Sequence, residues 1–336
     1  MRLVTFQNSD RSPRLGALLD DRIVDLADAA DALNERQGAE FARLPDDMVD
    51  FFAAGDGALH AAQDVLGAVA DAIARGDELL SGERPIRHSA SDVRLCAPVP
   101  RPPRIRDYLT YEAHATGSGL PVPEAFRSVP ICYECNTSTI LGPDDPIAWP
   151  AYSRQLDFEL EVGFFVGRGG RNISVDDAPA HIAGVTIFND VSARDIQFYE
   201  MSLGIGPSKG KSFATVMGPC VVTMDEVDEF AIECSVRVNG ETWSKADTAG
   251  RRYSFAEVLA WASYCESVQP GEFLAVGTVA GGCGLELDRW IAPGDVVELE
   301  ASGIGVLRNV VDQPEQVPDG AGIPSYTGAP RAAAKH

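Results

Sequence analysis

Within the run Leu156-Asp157-Phe158-Glu159-Leu160-Glu161-Val162-Gly163-Phe164-Phe165-Val166, carboxylates interrupt a stretch otherwise rich in Phe, Val and Leu. That composition predicts a buried strand. A strand repeats every two residues, so Glu159 and Glu161 point to one face. Two like charges on a half-buried face are costly unless a cation or a base neutralises them. A hard divalent cation would do so, because Mg2+ and Ca2+ take carboxylate oxygens. A solvated sheet face carrying ordinary alternating glutamates is the competing reading. These residues alone do not choose between the two.

A second candidate is Asp107-Tyr108-Leu109-Thr110-Tyr111-Glu112-Ala113-His114. If this segment is helical, Asp107 and His114 lie nearly two turns apart and share a face. A carboxylate and an imidazole so placed can serve as metal ligand and general base; an exposed helix with a chance pair is the plainer alternative. The following Ala115–Pro123, rich in Gly and Pro, is expected to form a mobile cover. Further on, Asn189-Asp190 ends an apolar strand and a helix begins, with Asp190 or Ser192 expected as its cap. Arg194 and Gln197, three apart, would line one side of that helix.

Two glycine-rich segments are excluded as nucleotide motifs. Gly167-Arg168-Gly169-Gly170 lacks the full dinucleotide pattern and its βαβ context. Gly204–Phe213 misses the phosphate-loop spacing, because Ile205 stands where a glycine is required. Lys211 remains available as a positive charge. Cys132 and Cys135 form a lone Cys-x-x-Cys with no second pair or nearby His, which argues against both zinc and redox chemistry.

The elements that must position these residues fall in 336 residues with 45% hydrophobic content, enough for a sizeable core. A net charge of -22 leaves no basic footprint for nucleic acid or an anionic membrane. The start lacks the apolar core of a signal peptide, and no run reaches membrane-spanning length. The seven cysteines are an odd number, scattered along the chain, which suits reduced thiols. A cytoplasmic protein is therefore expected.

Residues 1–100 are expected to form a small α+β domain. It comprises strands at 2–6, 15–19 and 22–26, helices at 28–36, 46–53 and 59–74, and a strand at 93–96. The proline-rich 97–103 cannot be a helix or a central strand, and marks the boundary. The remainder, 101–313, is strand-rich, with an Asn239-Gly240 hairpin turn, a helix at 254–266, and a strand at 273–276 running into a glycine-rich loop at 277–282. Residues 314–336 are expected to be a tail.

Four ordered motifs resemble the fumarylacetoacetate hydrolase family. They are Asp-Tyr-x5-His-Ala-Thr at 107–116, Leu-Asp-Phe-Glu-Leu-Glu at 156–161, Asn-Asp-Val-Ser-Ala-Arg-Asp-Ile-Gln at 189–197 and Gly-Lys-Ser-Phe at 210–213. A closing Gly-Ile-Gly-Val-Leu-Arg-Asn at 303–309 also fits. The resemblance implies an α+β, β-rich fold built on a mixed β-sheet roll, usually a homodimer. It implies one divalent metal, Mg2+ first, with Mn2+ or Ca2+ as alternatives, held by Asp107, Glu159, Glu161 and Asp190. His114 falls at the general base, and Glu286 at the carboxylate that orients it. Arg194, Gln197 and Lys211 fall where substrate oxygens are bound and developing negative charge is stabilised. Thr278 and Tyr133 join the substrate-binding set. The activity implied is hydrolysis of a C–C bond in a β-diketone or dioxo acid, in aromatic-compound breakdown. The alternative on the same metal site is lyase or isomerase chemistry on a 2-oxo acid, and a third is metal-dependent binding without catalysis. The chain departs from fumarylacetoacetase at Met201, where a substrate-binding tyrosine is expected, and Lys209 is a rival to Lys211.

Overall fold

The computed structural model describes residues 1–8, 12–38, 40–323 and 325–329. The last part of the expected tail, residues 330–336, lies outside the described residues.

Strand Glu159–Val166 is buried along its whole length, which makes it the centre of the molecule. Leu160, Val162, Phe164 and Val166 belong to one hydrophobic cluster, with Phe255, Val258 and Leu259 of helix Phe255–Ser263. Phe165 belongs to the other, with Phe51, Phe52 and Val65 of the N-terminal helices. The period of two thus splits the strand between two cores. Glu159 and Glu161 share the parity of Phe165. They lie 4% and 1% exposed, which rules out the solvated-face reading.

A twelve-stranded sheet surrounds this strand. Its main path runs Arg87–Ser89, Arg22–Asp25, Arg14–Leu19, Arg2–Gln7, Thr215–Val222, Ile182–Asn189, Glu159–Val166, Phe273–Cys283, Ile105–Leu109 and Ile131–Glu134. Most neighbours are antiparallel, but Phe273–Cys283 runs parallel to Ile105–Leu109, so the sheet is mixed. A second sheet of five strands includes Glu233–Val238, Val296–Ala301 and Gly305–Pro314, and it closes over the Phe164 side. The architecture is the α+β, strand-rich one expected. The N-terminal strands are continuous with the sheet that holds the glutamates, through Arg2 opposite Val222.

The N-terminal helices run Leu26–Gln37, Met48–Ala54 and Asp56–Ala74. The first starts two residues earlier than the pattern predicts. Asp25 caps it by accepting from the Asp28 N–H at 3.0 Å, and the same carboxylate pairs with buried Arg14. Helix Phe255–Ser263 begins on a capping box between Ser254 and Glu257, as its sequence implies, but ends short of residue 266.

The expected loop at 277–282 is a correction: Phe273–Cys283 is one continuous strand. Its glycines serve an irregular strand, with the register against Glu159–Val166 shifting on both sides of Glu161. Gly277 has φ 94°, and a Cβ there would sit 2.5 Å from the Tyr108 carbonyl oxygen. No residue with a side chain fits. The tail is partly docked: the Tyr326 hydroxyl donates to the Tyr152 carbonyl at 2.7 Å. Among the described residues no helix is long and apolar enough to cross a membrane.

Candidate active site

Asp107 and His114 do not share a helix. Asp107 lies on strand Ile105–Leu109, and His114 lies on the short helix Glu112–Gly117 that follows it. The strand's pairing with Phe273–Cys283 and the turn between the two elements bring both side chains to one cavity of about 230 Å3. Glu159, Glu161, Asp190, Arg194, Gln197, Lys211, Tyr133 and Thr278 also line it. Of the predicted residues, only Glu286 stands behind the wall.

Asp107, Glu161 and Asp190 form a buried triad whose ligand oxygens all lie within 4.8 Å of one another. Burial, then mutual repulsion, pushes the Asp107 and Glu161 carboxyls well above their usual range. Asp190 is also raised by burial, against the pull of Lys211. An all-oxygen set of crowded carboxylates fits a hard divalent cation and is wrong for a thiolate-loving one. Glu161 is held in place by Thr278, whose hydroxyl donates to it at 3.0 Å, and by the Gly277 N–H at 3.1 Å.

Glu159 stands beside this triad in different company. Lys211 Nζ donates to its Oε2 at 2.5 Å, and Arg194 Nη2 lies 2.7 Å from its Oε1. Burial alone would raise this carboxyl, but Arg194, Lys211 and His114 outweigh it and hold it well below the carboxylate range. Lys211 also donates to Asp190, so one ammonium bridges the two carboxylates. Burial disfavours its charge, yet Asp190 and Glu159 hold it above the usual lysine range. Lys209 is no rival: its ammonium lies over the Tyr152 ring at 4.7 Å. The chain reaches Lys211 by a close approach, since a Cβ on Gly210 would fall 2.6 Å from Gln197 Cα.

Helix Arg194–Met201 carries no side-chain cap, which corrects the expectation for Asp190 and Ser192. The Asp190 carboxylate turns to Lys211, and the Ser192 hydroxyl donates to the Asp190 carbonyl at 2.9 Å. Arg194, 2% exposed, is fully engaged. It donates through Nε and Nη2 to Asp157 Oδ2 at 2.8 and 2.7 Å, and through Nη1 to Gln197 Oε1 at 3.0 Å. The buried Tyr133 hydroxyl lies beside Asp190 and, among the described residues, makes no hydrogen bond of good geometry.

The acid–base group is a dyad. His114 Nδ1 donates to Glu286 Oε2 at 2.8 Å, an assignment that follows from the carboxylate being an acceptor. That leaves Nε2 unprotonated in the neutral ring and 3.8 Å from Glu159 Oε1, on the cavity side. Glu286 is fixed in turn by the Gly281 N–H at 3.0 Å and the Cys283 thiol at 3.3 Å.

Asp157 is the functional residue that sequence reasoning passed over. It is wholly buried and accepts from the Gly284 and Leu285 N–H groups at 2.7 and 2.9 Å as well as from Arg194. It thereby ties the helix carrying Glu286 to the residue that holds Glu159. The signal was present: Asp157 precedes Glu159 by the same two-residue step that separates Glu159 from Glu161.

Comparison with known proteins bears on the family. Residues 104–312 match the family model described as fumarylacetoacetate (FAA) hydrolase C-terminal. A protein named oxaloacetate tautomerase fahd2, mitochondrial, from Xenopus laevis is 33% identical over 321 residues, covering 93% of this chain and 90% of its own. The Homo sapiens protein named oxaloacetate tautomerase FAHD2A, mitochondrial, is 32% identical over 273 residues, 80% of each chain. Among solved structures, maleylpyruvate hydrolase from Sphingobium sp. SYK-6, in complex with manganese(II) ion and pyruvate, superposes with a TM-score of 0.66. It is 24% identical, covering 94% of this chain and 100% of its own, and the likeness is one of fold. The family match over most of the C-terminal portion and the near full-length relatives lead to one conclusion: this chain belongs to the fumarylacetoacetate hydrolase family of enzymes.

Proposed function

We propose that the protein is a divalent-metal-dependent tautomerase of 2-oxo acids, moving a proton between the carbon next to the carbonyl and the carbonyl oxygen. The observation that carries this reading is the His114–Glu286 dyad, set at 2.8 Å beside a triad of carboxylates on one cavity. The oxaloacetate tautomerase relatives, a third identical over most of the chain, support it.

Asp107, Glu161 and Asp190 would hold the metal, with Glu159 next to them and Mg2+ or Mn2+ the expected ions. Bound there, a divalent ion supplies Lewis acidity to the 2-oxo acid and so acidifies the neighbouring C–H. His114 Nε2 takes that proton, and Glu286 stabilises the imidazolium through Nδ1. The same proton is returned at the carbonyl oxygen, so nothing is consumed and the product is the enol. The Tyr133 hydroxyl, beside Asp190 in the wall, is a candidate donor to a substrate oxygen.

Hydrolytic C–C cleavage, with its place in aromatic-compound breakdown, is the second reading, and the base favours it equally: His114 could activate water instead. It asks more of the cations. A tetrahedral oxyanion needs free donors, whereas Arg194 and Lys211 are both engaged by carboxylates. Proton NMR in deuterated water with Mg2+ separates the two. Metal-dependent loss of C3 proton signal from a 2-oxo acid, with the carbon skeleton intact, supports the tautomerase; appearance of two fragments from an acylpyruvate supports the hydrolase. Absence of exchange with metal bound would overturn the proposal.

A further inference from the structure

The cavity has two unlike halves. Its floor holds the carboxylates, Lys211 and Arg194, whereas its outer wall is built by Leu109, Leu120, Ile131, Phe198, Met201 and Pro207. Ile131 is 44% exposed at the rim, and the chain between Met201 and Pro207 continues outward through Leu203 and Ile205, 81% and 78% exposed. Exposed apolar side chains around a cleft mark a surface awaiting an apolar partner.

Charge leads the same way. The lining holds four carboxylates, Asp107, Glu159, Glu161 and Asp190, and two cations. Both cations are already paired to lining carboxylates, Lys211 to Glu159 and Asp190, and Arg194 to Glu159. A divalent ion would balance these lining groups, and Asp157 behind Arg194 adds one further negative charge, so the metal is the only cation left to meet a substrate carboxylate. A second carboxylate, reaching outward, would meet six apolar side chains, and among the lining residues no cation other than the already paired Lys211 and Arg194. Burying an unpaired charge there is costly.

We infer that the outer wall is a subsite for an uncharged, apolar tail, so that the favoured substrates are 2-oxo acids extended by an alkyl or aryl group and not dicarboxylates. This rests on the 2-oxo acid reading above and narrows it. Oxaloacetate, the substrate in the relatives' names, then becomes a poor fit for this chain's outer wall.

The test uses an isosteric pair, 6-methyl-2-oxoheptanoate and 2-oxohexanedioate, which differ in an isopropyl group against a carboxylate. Binding to the full-length protein with Mg2+ is read by calorimetry, and C3 deuterium exchange by NMR. The apolar acid is expected to be favoured by about tenfold or more in both. The rim variant Ile131→Arg, at a half-exposed position the fold tolerates, should shift the ratio toward the diacid by about tenfold. A wild-type preference for the diacid, or an Ile131→Arg protein with an unmoved ratio, overturns the subsite. If the affinity ratio stands but neither acid exchanges, the tautomerase reading falls and the subsite survives. If both exchange but the diacid wins, the subsite falls and the tautomerase survives. Failure of both acids to bind overturns both.

Discussion

Arg194 is bound to Asp157 through two nitrogens, at 2.8 and 2.7 Å, with both side chains sealed from solvent. Neither touches only structure: Arg194 also holds Glu159, and Asp157 also holds the backbone that leads to Glu286. Asp157→Asn should therefore lower stability by ~3–5 kcal/mol, because it leaves a buried guanidinium short of charge. Urea unfolding of the two proteins measures this. An Asp157→Asn protein as stable as wild type would show the pair to be dispensable.

His114→Ala should lower turnover by about 10²–10⁴-fold while leaving metal affinity intact, since the imidazole is not among the triad. Glu286→Gln should retain part of the activity, because an amide oxygen still accepts from Nδ1 but no longer stabilises the imidazolium. Steady-state rates with metal titrations decide it; weakened metal binding in His114→Ala would move this residue into the ligand set.

Thr278 never needs to touch metal to matter. Its hydroxyl aims Glu161, so Thr278→Val should weaken Mg2+ or Mn2+ binding by about 10–100-fold, as removal of a ligand's orienting partner does. Calorimetry with Mn2+ reads it directly. Unchanged affinity would show that the Gly277 N–H alone suffices.

Removal of metal should invert the protein's pH response. In the metal-free state Asp107 and Glu161 sit well above, and Asp190 above, the carboxylate range. The folded protein then binds these protons more tightly than the unfolded chain. Their contribution is fully present below the unfolded pKa of about 4 and is lost as pH rises through the raised values. Glu159, held low, works in the opposite direction: its contribution is present above about 4 and lost only in strong acid. Melting in chelator should decline as pH climbs above the unfolded carboxylate value of about 4, and excess Mg2+ should abolish that decline. A melting temperature in chelator that rises over this range would refute the crowded-triad account.

Legibility in the sequence followed the range of the interactions. The shared face of Glu159 and Glu161 is legible because alternation along a strand is local. The single helix on which Asp107 and His114 would share a face does not form; they meet across a strand and the short helix after it, with Phe273–Cys283 lying beside Ile105–Leu109. The glycine run at 277–282 looked like a loop because glycine is a poor strand former; only a carbonyl from Tyr108 at close quarters makes it necessary in a strand. The union of Arg2–Gln7 with Thr215–Val222 joins segments more than two hundred residues apart, which no local pattern encodes.

That union bears on how the family's C-terminal portion would behave alone. A chain cut near Arg101 would strip Val221 and Val222 of their partners Leu3 and Arg2, opening the end of strand Thr215–Val222 while its start stays paired to Ile140–Leu141. Such an open border recruits other strands. The first hundred residues are thus expected to shield this end from self-association, and light scattering of the shortened chain should find more aggregate than the whole protein gives.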